Sequence, residues 1–198
     1  MRLPTFPETS HPTIQALIQK SDPDLVNLYQ RHPEMGQYFA AIFCRYAQVI
    51  YTLTATATRS PVQSDYLFVR TWEYIFNELR SLDLRAIQLS LQSWLINIAA
   101  LTINQISPPP IEDIQYVLPE TSPVFWCYLN QTLNLLPGNL RLVTILSQTF
   151  RWSHIRIAAY LQAEGEVIAP EDVQKLIDQA YARIAASLPQ DIRKIYLK

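Results

Sequence analysis

The chain has 198 residues, 49% of them hydrophobic and only 17% charged, with a formal net charge of −1. That apolar content excludes wholesale disorder and suits one domain or two small ones, while the missing positive charge argues against an autonomous nucleic-acid binder, which carries a basic domain or stripe. With three glycines there is no phosphate-cradling loop of the GxxxxGK kind.

Residues 1–12 hold three prolines and are expected to form an extended arm, continuing to residue 20. "SDPD" offers an N-cap before Leu25, Leu28 and Tyr29, and Pro33 interrupts that helix. Phe39, Ile42, Phe43, Tyr46, Ile50 and Leu53 then recur at three- and four-residue steps, the stripe of a long amphipathic helix. Its most apolar part, "YFAAIFCRYAQVIYTL", carries Arg45 and falls short of the roughly 20 residues a membrane span needs. "TATATRSPVQSDY" breaks the helix, with Pro61 as the stop and Ser64 as the candidate cap of the next, on which Phe68, Trp72, Ile75, Phe76 and Leu79 share a face. A fourth helix is expected over "SLDLRAIQLSLQSWLINIAALTINQI".

Residues 107–123, "SPPPIEDIQYVLPETSP", contain five prolines and no periodicity, the composition of a semi-rigid linker. Further helical patterns follow, with Asn139, Ser153 and Ala169-Pro170 at cap or first-turn positions. In the last of them Val173, Leu176, Ile177, Ala180, Tyr181 and Ile184 point inward. The fold class read from these patterns is all-α: two small helical bundles joined by a Pro-rich linker, the C-terminal one with a helix-turn-helix. The boundaries are 1–20 for the arm, 21–106 for the first bundle, 107–123 for the linker and 124–198 for the second bundle.

Cys44 and Cys127 lack a CxxC companion and lie in apolar settings, as buried free thiols of a reducing compartment do. His11, His32 and His154 are isolated and share no metal-type spacing with either cysteine. "MRLPTFPETSHPT" lacks the apolar core of a signal peptide. The expectation is a soluble, cytoplasmic, non-enzymatic protein with no metal, no cofactor and no membrane partner.

In order along the chain, "DLVNLYQRH", "YLFVRTWEYIFNEL" and "LQSWLINIAALTINQ", then "LLPGNLRLVTIL", "WSHIRIAAYL" and "DVQKLIDQAYARI", resemble the conserved segments of bacterial RNA polymerase sigma factors of the small extracytoplasmic-function type. "WLINIA" is similar to that family's Trp-Leu-x-x-Ile-Ala signature, and "LLPGNLRLV" to the Leu-Pro-x-x-x-Arg-x-Val opening of its region four. The resemblance implies a first bundle that binds core RNA polymerase and a second that reads promoter DNA. It assigns DNA contacts to Gln174, Lys175, Gln179 and Arg183 on the recognition helix. Phosphate contacts fall to Arg151, His154 and Arg156, and the polymerase-docking face, at i, i+3 and i+7, to Arg70, Glu73 and Asn77.

The chain also departs from the family. Its recognition helix carries Glu171, Asp172 and Asp178 against Lys175 and Arg183, and carboxylates beside phosphates repel. The turn within "QAEGEVIAPED" is longer than the roughly 3–4 residues of an ordinary helix-turn-helix. Ala100 and Leu101 stand where the family has a polar or basic pair. Two readings follow. In one, a sigma-like initiation factor reads promoter DNA weakly and within the holoenzyme. In the other, a degenerate sigma-fold regulator acts by contact with polymerase, a sigma factor or an anti-sigma protein.

Overall fold

The computed structural model describes residues 3–197, which are all-α: 12 helices, one short 3-10 turn and no strand among the described residues. In chain order these are α1 (Pro7–Ser10), α2 (Pro12–Leu17), α3 (Asp22–Arg31), α4 (Gln37–Ala57), α5 (Pro61–Glu78), α6 (Leu84–Ile87), α7 (Leu91–Gln105) and α8 (Pro123–Asn134). They continue with α9 (Gly138–Gln148), α10 (His154–Ala163), α11 (Pro170–Ser187) and α12 (Gln190–Tyr196). No helix among the described residues is long and apolar enough to cross a membrane. The chain forms two compact units: Met1–Tyr128 together with Pro189–Lys198, and Leu129–Leu188.

In the first unit α3, α5 and α7 pack around the long α4. The core is aromatic. Phe39 meets Phe76 edge to face at 4.9 Å between centroids, Phe43 meets Trp72 at 4.8 Å, and Phe76 meets Tyr128 at 4.9 Å. These are the edge-to-face geometries that ring quadrupoles favour. The Tyr29 hydroxyl donates to the Phe76 carbonyl at 2.8 Å, tying α3 to α5. Arg45 pairs with Asp22 and donates to the carbonyls of Ile18 and Lys20, which ties the start of α3 to α4. Ser21 caps α3, as expected from "SDPD".

The prolines act differently from the sequence expectation. Pro7, Pro12 and Pro61 each occupy a first-turn position, where the missing N–H would have had no helical partner. The arm expected over 1–20 is therefore not extended: α1 and α2 dock on α4, burying Phe6 against Phe43 and Ile14 completely. Met1 and Arg2 of that arm lie outside the described residues, as does Lys198. Ser60, not Ser64, caps α5, and Ser64 is buried within the helix. The expected fourth helix is two, because Gln88 adopts a left-handed conformation (φ 52°) and Ser90 caps a new start.

The Pro-rich stretch belongs to the first unit and packs on it. Gln63 donates to the Pro109 carbonyl at 2.9 Å, and Leu118 and Ser122 are buried. Residues 124–128 and 189–197, expected in the second bundle, also sit in the first unit. The reason for α12 is specific. Gly36 stands before α4 without a side chain to cap it, and the Asp191 carboxylate accepts the Gln37 N–H at 2.7 Å. Ile192 is fully buried over Gly36, where a Cβ would lie 2.2 Å from its Cγ1.

In the second unit α9, α10 and α11 share an aliphatic core of Val143, Leu146, Ile157, Ala158, Leu161, Val173 and Ile177. Ala180 and Ile184 of α11 are buried as expected, whereas Tyr181, one step off the stripe, is 45% exposed.

Candidate nucleic-acid interface

On α11 the residues assigned to DNA, Gln174, Lys175, Gln179 and Arg183, are all exposed. Pro170 opens the helix, Glu171 and Asp172 occupy its first turn, and the spacing of Val173, Ile177, Ala180 and Ile184 turns the polar residues outward. Two of the four are held by carboxylates of the same helix. Lys175 Nζ donates to Asp172 Oδ1 at 2.7 Å, and Gln174 Nε2 donates to Asp178 Oδ1 at 2.7 Å. The Asp172 hydrogen bond, and secondly its charge, holds the Lys175 ammonium above its ordinary range, and the same contact holds the Asp172 carboxyl below its own. An ammonium neutralised this way gives up part of its attraction for a phosphate.

The connection to α11, residues 164–169, is ordered by its own hydrogen bonds. Gly165, at φ 92°, closes α10 with Glu166 N–H donating to the Leu161 carbonyl at 3.0 Å and Gly165 N–H to the Gln162 carbonyl at 3.1 Å. This is the paired closure that a left-handed glycine permits after a helix. Gln162 Nε2 then reaches the Ile168 carbonyl at 2.7 Å, and Ile168 packs on the shared core. The longer turn seen in the sequence is thus a capped and anchored loop.

The phosphate candidates cluster at the start of α10. Ser153 caps the helix, as expected. Arg156 lies over the Trp152 ring at 4.0 Å from its centroid, and Tyr160 meets the same ring edge to face at 5.8 Å. Arg151 is exposed with a left-handed backbone (φ 54°), and His154 is half-buried. Two apolar neighbours stand out in solvent, Phe150 at 59% and Ile155 at 72% exposure. Neither was singled out from sequence. Ile155 was legible there, since it falls between the buried positions Ile157, Ala158 and Leu161 and their predecessors on the helical repeat.

The polymerase candidates lie on α5. Arg70 and Asn77 are exposed, but Glu73 is buried. It pairs with Arg70, and its Oε1 accepts the Trp126 indole N–H at 2.5 Å. Glu73 thus faces the interior of the first unit, where Trp126 reaches it across more than fifty residues of chain. Trp72 is fully buried and Trp126 is held by Glu73, so both pack within the unit. At the end of α7, Ala100 lines an apolar cleft of about 290 Å³ with Leu53, Ile96 and Ile103, and Leu101 is 48% exposed. Thr102 turns inward and donates to the Ile98 carbonyl. Burial pushes the Cys127 thiol well above its ordinary value and the Cys44 thiol up to about 12, so both stay protonated. No family model matches the chain, and no curated protein matches it.

Proposed function

We propose that the chain is a sigma-like transcription initiation factor, whose first unit binds core RNA polymerase and whose α9–α11 unit, as a helix-turn-helix, meets promoter DNA weakly and only within that complex. What supports the reading is the placing of the resembling segments. The first three fall on α3, α5 and α7, helices gathered around α4 in one unit, and the last three on α9, α10 and α11, which share one core. Polymerase binding supplies most of the affinity, and tethering raises the effective concentration of a weak DNA reader. Arg183 and Gln179 of α11, with Arg151 and Arg156 near α10, carry the DNA contacts; Arg70 and Asn77 remain the exposed part of the polymerase face.

The self-pairing of Lys175 and Gln174, with Phe150 and Ile155 exposed beside Arg156, favours a second reading: a sigma-fold regulator that acts by protein contact without reading DNA. A salt series of promoter binding in the presence of core polymerase separates the two. The first reading expects promoter-dependent binding that weakens steeply with salt. It also expects the double substitution Asp172→Asn, Asp178→Asn to steepen the log–log salt slope by about 1, as Lys175 is released to a phosphate. Polymerase capture with no DNA-dependent signal leaves the second reading, and failure to capture polymerase at all overturns the first and confines the second to contact with a sigma factor or an anti-sigma protein.

A further inference from the structure

A cleft of about 560 Å³ opens on the first unit between α3 and the segment joining α5 to α6. Its walls are fastened by one side chain: Gln30 Nε2 donates to the carbonyls of Leu79 at 2.9 Å and Leu82 at 2.7 Å, so α3 and the end of α5 hold a set distance. Three arginines line it, Arg31 from α3, Arg80 from the segment after α5 and Arg85 from α6. Arg80 is positioned over the Phe76 ring at 5.0 Å from its centroid. Arg31 and Arg85 are exposed, and neither makes an ion pair among the described residues.

The two carboxylates of the cleft are turned to local work. Asp24 accepts the Ser21 hydroxyl at 2.6 Å, and Asp83 Oδ1 accepts the Arg85 and Ala86 N–H groups at 2.9 and 3.2 Å as the cap of α6. The Arg31 and Arg85 guanidiniums are left as the groups with donors to spare, and each presents a planar fork suited to phosphate oxygens. The cleft falls within the roughly 300–1,000 Å³ of small-molecule sites. No aromatic ring lines it, so nothing there recognises a base.

We propose that this cleft binds a small, multiply charged phosphate compound, held between Arg31 on one wall and Arg85 on the other. The charge requirement comes from the arrangement: the Arg31 and Arg85 guanidiniums, without ion pairs and on two fastened walls, are bridged by a ligand with more than one anionic group, such as a diphosphate. The proposal is independent of the polymerase reading, and its test needs neither polymerase nor promoter.

The test is calorimetric titration of the full chain with pyrophosphate, alongside inorganic phosphate, a nucleoside diphosphate and a short single-stranded oligonucleotide. Saturable 1:1 binding of pyrophosphate is expected, tighter than inorganic phosphate and matched by the nucleoside diphosphate. Arg31→Gln and Arg85→Gln should each weaken it about 5- to 20-fold, the loss of one charge-assisted contact, and together remove saturation. Both side chains are exposed, so melting temperatures without ligand should match the parent chain. Asp24→Asn should tighten binding. Unchanged affinity in the double arginine variant, absence of saturable pyrophosphate binding, or saturation by the oligonucleotide alone would each overturn the proposal.

Discussion

Glu8 and Glu73 in the first unit and Asp172 and Asp178 in the second are the same functional group in opposite surroundings. Glu73 is buried and accepts the Trp126 indole N–H while pairing with Arg70. Glu8 is fully buried and accepts the Ser122 hydroxyl, with its Oε2 left without a partner among the described residues. Asp172 and Asp178 lie on the outward side of α11 and hold Lys175 and Gln174 in solvent. A carboxylate out of water is bound to the architecture, because leaving its partner unmatched costs the full desolvation of both. In water the same group contributes little to stability and instead sets how strongly a charged partner is attracted or repelled.

Three substitutions sharpen that contrast. Glu73→Ala should have the largest effect, costing about 1–3 kcal/mol by stranding the Trp126 indole N–H. Denaturant unfolding followed by tryptophan fluorescence measures it. A parent-like midpoint would return Glu73 to the docking face with Arg70 and Asn77.

Glu8→Gln should have a smaller effect of opposite sign. Desolvation raises the Glu8 carboxyl above its ordinary value, outweighing the Ser122 hydrogen bond that lowers it. The folded chain therefore holds that proton more tightly than the unfolded chain, and stability falls as pH rises from the unfolded value through the folded one. Glutamine does not titrate. The variant should melt above the parent at neutral and alkaline pH, with the gap closing toward acid; a gap that widens on acidification would contradict the assignment. Asp172→Asn should barely register in stability, within about 0.5 kcal/mol for an exposed site, while altering salt-dependent DNA binding in the polymerase complex. A large shift in melting temperature would show that the Lys175 pair holds the helix together.

Much of the local structure was legible in the residues. The stripes of α4, α5 and α11, the Ser21 and Ser153 caps and the outward placing of Gln174, Lys175, Gln179 and Arg183 all follow from the 3.6-residue repeat and capping chemistry, which act within one or two turns of chain. The candidate polymerase face was half legible: Arg70, Glu73 and Asn77 do share a side of α5, but the repeat does not say what covers it.

That covering is what tertiary structure decided. Trp126 on Glu73, Asp191 at the uncapped start of α4, Ile192 over Gly36, and Arg31 across a cleft from Arg85 are all meetings of residues far apart in sequence. By itself the sequence determined that this chain is helical, which faces are apolar and where α3 and α10 begin at serine, because those are short-range matters of periodicity and hydrogen-bond supply. Only the folded arrangement decided that the proline-rich stretch and both chain ends belong to the first unit, since burial of Phe6, Leu118 and Ile192 depends on the shape of surfaces that no local pattern encodes.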